Sequence, residues 1–167
     1  MIRRAAKVAA TRVDAQTALI TIEAGDVGHS FPTGDMFRRL ELRAEAMDTS
    51  GVVIAQANPI VLARTFRDVP RDPTGRDFSM QRIAGSDSRI APPDHDGAAR
   101  PARISLKVTG AEPGSRIHWQ VVYQRMSAPM AEAFQVSQVL DEIVVAEGVL
   151  APFSSDSNST IASVKED

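Results

Sequence analysis

Apolar and polar residues alternate at period two along most of the chain, and helical spacing never persists for more than a turn or two. From 39 to 47, Leu40, Leu42, Ala44 and Ala46 fall on one face, and Arg39, Glu41, Arg43 and Glu45 on the other. Side chains of a strand point alternately to its two faces, so this stretch predicts a half-buried strand. A second case sets Ala102, Ile104, Leu106 and Val108 against Arg103, Ser105, Lys107 and Thr109. A third sets Ile117, Trp119, Val121 and Tyr123 against Arg116, His118, Gln120 and Gln124, which places Trp119 in the core and His118 on the polar face.

Weaker strands are expected at 6–13, 17–24, 52–66 with an interruption at Asn58-Pro59, 76–83 and 136–145. Turn chemistry separates them. Asp14-Ala15-Gln16, Asp48-Thr49-Ser50-Gly51, Asp72-Pro73-Thr74-Gly75 and Glu112-Pro113-Gly114-Ser115 combine side chains that bond the local backbone with residues suited to unusual backbone angles. About eight strands without intervening helices predict an all-β fold, a two-layer antiparallel β-sandwich of immunoglobulin-like kind. Residues 85–101, with Pro92-Pro93 and Asp94-His95-Asp96-Gly97, read as a long irregular loop. The sandwich is expected to occupy 1–150, and the serine-rich 151–167 to form an extended polar tail.

A chain of 167 residues and 18.0 kDa fits one domain with one core. Nineteen basic against 21 acidic residues leave a net charge of −2, a field that selects neither nucleic acid nor an anionic membrane. The absence of cysteine removes disulfides, thiolate nucleophiles, thiolate metal sites and covalent haem attachment through Cys-x-x-Cys-His. No cofactor of the chain's own is expected. The basic start, Met1-Ile2-Arg3-Arg4, runs into Lys7, Thr11 and Arg12 before an unbroken apolar run of a secretory signal develops. No window is apolar for long enough to span a bilayer as a helix, so membrane association is expected only through partners.

The most distinctive string is Gly28-His29-Ser30-Phe31-Pro32-Thr33-Gly34-Asp35, followed by Met36-Phe37-Arg38-Arg39-Leu40. It resembles the signature loop, Gly/Asn-His-x-Phe-Pro-Thr-Gly, of the β-sandwich domain at the C-terminal end of many multihaem c-type cytochromes. The run 119–126 looks like that domain's penultimate strand and 140–145 like its last, so the resemblance spans roughly 8–148. Those cytochromes carry haem-attachment motifs upstream of the domain, and this chain has none. The resemblance therefore implies a separated accessory domain that packs against a redox protein supplied by another chain, in a periplasmic or extracellular setting.

The loop also makes sense without a cofactor. Gly28 and Gly34 permit unusual backbone angles, Pro32 fixes one dihedral, Phe31 plugs the end of the sandwich, and His29 and Thr33 satisfy exposed backbone groups. The sharper reading has His29 present its imidazole to a haem iron of a neighbouring chain. Arg38, Arg39 and Arg125 could clamp a carboxylate, a haem propionate or a partner's acidic patch, or pair internally with Asp35 or Asp141. The expected interaction residues are thus His29, Phe31, Pro32, Thr33, Arg38, Arg39 and Arg125.

No serine sits in a nucleophile elbow and no glycine-rich loop precedes a helix, so the chain is not expected to be an enzyme. The expected function is that of an accessory subunit of an extracytoplasmic electron-transfer complex, respiratory or photosynthetic, docking on a c-type cytochrome or neighbouring subunits. A small-ligand or carbohydrate-binding module is the alternative, weakened by a single Trp and a single Tyr, both read as inward. A metal held by His29, His95, Asp35 and Asp96 is a third.

Overall fold

The computed structural model describes residues 2–32, 37–71, 74, 79–93, 97–98, 100–136 and 142–154. After a short 3-10 turn, Ile2–Ala5, come β1 (Ala6–Arg12), β2 (Thr17–Ala24), β3 (Arg39–Met47), β4 (Val53–Gln56), β5 (Ile60–Leu62), β6 (Arg64–Pro70) and β7 (Met80–Asp87). The chain continues through β8 (Ala102–Lys107), β9 (Arg116–Gln124), a helix α1 (Ala128–Ala133) and β10 (Glu142–Leu150). One sheet has the order β1-β2-β8, and the second the order β10-β9-β3-β4 with β5 also on β3. Every pairing within them is antiparallel. The protein is an all-β sandwich. Among the described residues β6 and β7 pair only with each other, as a two-stranded ribbon.

The core forms where the apolar faces of the two sheets meet. Val8, Ala10, Ala18, Ile20, Ile22 and Leu106 come from the first sheet, and Leu40, Leu42, Ala46, Ile117, Trp119 and Val121 from the second. Trp119 is the largest of these side chains, and its cross-strand neighbours are small: Ala44 on β3 and Gly148 on β10. The indole lies so close over Gly148 that a Cβ there would fall 3.0 Å from its Cζ2 and Nε1. Glycine thus makes room for the ring.

Strands β2, β3 and β9 fall where period-two alternation puts them. Among the described residues ten strands replace the expected eight or so because the 52–66 run divides. Asn58-Pro59 ends β4, and β4 and β5 lie end to end along β3, with Gln56 opposite Glu45 and Ile60 opposite Leu42. Proline cannot donate to the ladder, so the gap falls there. The run then leaves β3 altogether as β6. Of the expected 136–145 strand, 137–141 lie outside the described residues, and β10 runs from Glu142 on to Leu150. Ahead of it stands α1, capped by Ser127, whose Oγ accepts from the Met130 N–H at 3.4 Å, with a proline in the first turn. Six residues are too few to show helical periodicity. Residues 85–87, expected in the long loop, belong to β7.

The three described turns behave as their residues predict. Asp14 Oδ1 accepts the Gln16 N–H at 2.7 Å, Asp48 Oδ1 accepts the Ser50 and Val52 N–H groups at 2.8 and 2.9 Å, and Ser115 Oγ donates to the Glu112 carbonyl at 2.6 Å. Gly51 takes the positive φ of +86° that its turn requires. Of Asp72-Pro73-Thr74-Gly75, all but Thr74 lie outside the described residues. The start of the expected tail is tied to the body, with the Phe153 N–H on the Pro113 carbonyl at 2.9 Å, and 155–167 lie outside the described residues.

Candidate interaction site at the His29 loop

The loop is built on an inward-facing anchor. Phe31 exchanges both backbone hydrogen bonds with Ile90, at 2.9 and 2.8 Å, and its ring stacks on Tyr123 with centroids 6.2 Å apart and planes 17° from parallel. Phe31, Pro32 and Ile90 are all buried, and the Phe31-Pro32 peptide is cis. Burying such a ring contributes about 1.5–3 kcal/mol. The loop is therefore pinned at Phe31-Pro32, and His29, two residues earlier, stands exposed. Of the expected interaction residues, Phe31 and Pro32 hold the loop from inside, whereas His29 and Arg125 reach solvent. Thr33 lies outside the described residues, as do Asp35, His95, Asp96 and Asp141. Arg38 is half-buried just before β3. Among the described residues no three His, Asp or Glu side chains gather as metal ligands.

Arg39 is engaged within the chain, by one partner on its own strand and one on β9 that a single strand could not reveal. Its Nε donates to Gln124 Oε1 at 2.5 Å and its Nη2 to Glu41 Oε2 at 3.0 Å. Glu41 Oε1 in turn accepts from Arg43 Nε at 2.7 Å, and Arg43 forks onto both oxygens of Glu142 at 3.0 and 2.7 Å. Gln124 Nε2 closes the circuit by donating to Glu142 Oε1 at 2.5 Å. Five side chains from β3, β9 and β10 thus form one ring. Arg39, Gln124 and Glu142 occupy one cross-strand row, while Arg43 reaches Glu142 from two rows away, past Val122, which is buried.

The ring carries two guanidinium and two carboxylate charges and is neutral in sum. Such charge-assisted bonds are the strong ones, and the fork of Arg43 supplies their geometry. Hydrogen bonding from Arg43, with help from Gln124 and against partial burial, holds the Glu142 carboxyl below its ordinary range. Arg43 is pushed the other way by the bond to Glu142. Glu41, only 9% exposed, is tolerated because both its oxygens are bonded. Further along the same face, His118 lies between Glu45, 3.3 Å from Nδ1, and Glu147, 3.7 Å from Nε2.

Sequence reasoning missed two features near this end. The ring was hidden because Gln124 and Glu142 lie far from Arg39, Glu41 and Arg43 in sequence and meet them only once the register is known. The β6–β7 ribbon was hidden because its residues read as ordinary strand and loop. It is rooted beside the loop: Ser88 donates its N–H to the Ala63 carbonyl at 3.0 Å, and two residues later Ile90 pairs with Phe31.

No protein-family profile and no curated protein matches the chain. A solved structure does. The penta-heme cytochrome c552 from Thermochromatium tepidum superposes on 90% of this chain with a TM-score of 0.58 at 18% identity. The class is thereby set by fold: a β-sandwich of a kind also carried within a multihaem cytochrome. The chain spans 40% of that cytochrome's length. Among the described residues no helix is long and apolar enough to cross a membrane.

Proposed function

We propose that this chain is a non-catalytic accessory domain of an extracytoplasmic electron-transfer assembly, docking on a c-type cytochrome or on its neighbouring subunits. The observation that carries this reading is the superposition of nearly the whole chain on less than half of a penta-heme cytochrome, by a sequence without a cysteine to attach haem. The periplasmic or extracellular setting rests on the same likeness. His29, held outward by its buried anchor, is the side chain we assign to the partner contact, with its imidazole near the haem edge or on the iron. The exposed Arg125 supports the same face, whereas Arg39 acts through the ring.

A carbohydrate site finds less support. Sugar sites stack rings on exposed aromatics, and Trp119 and Tyr123 are 1% and 5% exposed. The test is co-purification of the tagged, full chain from native extract. Retention of a haem-bearing protein is the expected result; a chain that elutes as a partnerless monomer would overturn the proposal.

A further inference from the structure

One stretch of chain, 123–134, holds the His29 loop at three points. Tyr123 faces inward from β9 and stacks on Phe31, two residues after His29. Gln124, the next residue, faces outward and accepts a hydrogen bond from Arg39 Nε. Beyond α1, Phe134 meets the Phe37 ring edge-on, with centroids 5.8 Å apart and planes at 66°. Residues 33–36 lie outside the described residues; 29–32 on one side of them and 37–39 on the other thus share one support. The last two residues of β9 reach both sides because successive side chains of a strand point to opposite faces.

Gln124 suits its place by chemistry that few side chains offer. It is 6% exposed, so it serves a docked protein only through the residues it holds. Its carboxamide accepts from the Arg39 guanidinium at Oε1 and donates to the Glu142 carboxylate from Nε2. An amide accepts and donates at once, whereas a carboxylate only accepts. A glutamate there would set a third carboxylate beside Glu41 and Glu142 and turn the neutral ring negative. A leucine would release both partners without adding charge.

Resting on the accessory-domain reading, we infer that 123–134 is a cradle that sets the His29 loop for its haem-bearing partner, with Gln124 as the positioning residue. A loop ordered before contact loses less conformational freedom on binding, so Gln124 strengthens docking without touching the partner.

The test uses the tagged, full chain, isotope-labelled for amide relaxation measurements and passed through native extract for haem absorbance per chain. Wild type, Gln124→Glu, Gln124→Leu and Gln124→Glu/Glu142→Gln are compared. The double variant moves the carboxylate across the bond between the two side chains and restores a neutral ring. Both single variants should drop the order parameters of the Phe37 and Arg38 amides from about 0.85 to below about 0.6, with that of Trp119 unchanged. Haem absorbance per chain should fall about threefold or more with them, and the double variant should recover most of both. Amides as rigid as in wild type, loosening shared equally by Trp119, a double variant no better than Gln124→Glu, or full haem retention by a loosened loop each overturn the cradle and leave the accessory role standing. A wild-type chain that retains no haem protein overturns both.

Discussion

Arg12 offers the sharpest test of how the body is held together. Standing at the end of β1, its guanidinium bonds the backbone of three segments at once. Nη2 donates to the Ala15 carbonyl at 2.6 Å and the Glu112 carbonyl at 3.2 Å, Nη1 donates to the Ser115 carbonyl and to that of Ala151 at 2.9 Å, and Nε donates to the Asp14 carbonyl at 3.2 Å. One cation thus joins the β1–β2 turn, the turn before β9 and the exit of β10. Burial lowers the pKa of Arg12 and Asp14 opposes that shift, yet an arginine stays charged at any pH where the protein is folded. A hydrogen bond to a charged group contributes about 1.5–3 kcal/mol. Because the site is half-exposed and one cation is shared among several acceptors, Arg12→Ala is expected to cost about 2–3 kcal/mol in all. Arg12→Lys retains the charge but not the fork, and should still cost about 1–2 kcal/mol. Urea unfolding followed by circular dichroism measures both, and the alanine variant should also melt about 4–12 °C lower. If Arg12→Ala shifts stability by less than about 0.5 kcal/mol, the value of an ordinary surface substitution, the reasoning is refuted.

Gly148→Ala should cost about 1–3 kcal/mol by overpacking the indole, and should shift the emission of Trp119, the single tryptophan, away from its wild-type maximum; an unchanged spectrum and melting point would contradict the packing. Gly25→Ala should destabilise by a similar or larger amount, because its Cβ would meet the Arg4 carbonyl oxygen at 2.1 Å while the Gly25 and Asp26 N–H groups bond the Ala5 and Arg4 carbonyls; proteolysis of the N-terminal turn should accelerate. Glu142 has a lowered folded-state pKa, so its contribution is fully present above the ordinary glutamate value and fades as pH falls through the lower, folded one. Glu142→Gln should therefore lower stability near neutrality by roughly 0.5–1 kcal/mol, the site being part-exposed, and flatten its acid decline; a parallel pH profile would count against the ring.

What alternation made legible is the sandwich itself. Leu40, Leu42 and Ala46 had to face away from Glu45 and Arg43, and the fold puts them in the core. Turn residues were legible for a local reason, since Asp48 and Ser115 bond backbone within four positions of themselves. Phe31 as an end plug was readable from its place between Gly28 and Gly34, beside Pro32, although its partners Ile90 and Tyr123 were not. Glu41 shows the limit: its strand assigns it to a solvent face between Arg39 and Arg43, and only the pairing of β3 with β9 and β9 with β10 brings Gln124 and Glu142 in to complete the ring and leave Glu41 9% exposed. The ribbon fails differently. Alternation reports burial on one face, and β6 and β7 are exposed on both, so their pattern carried little signal.

The central claim, a haem-free sandwich serving a haem-bearing partner, is tested most directly by the reduced-minus-oxidised difference spectrum of the complex isolated through this chain, with haem counted against chain. The account predicts c-type bands at a fixed haem-to-chain ratio that stays constant across the eluting peak. A featureless spectrum, or a ratio that drifts to zero while the chain persists, would contradict it.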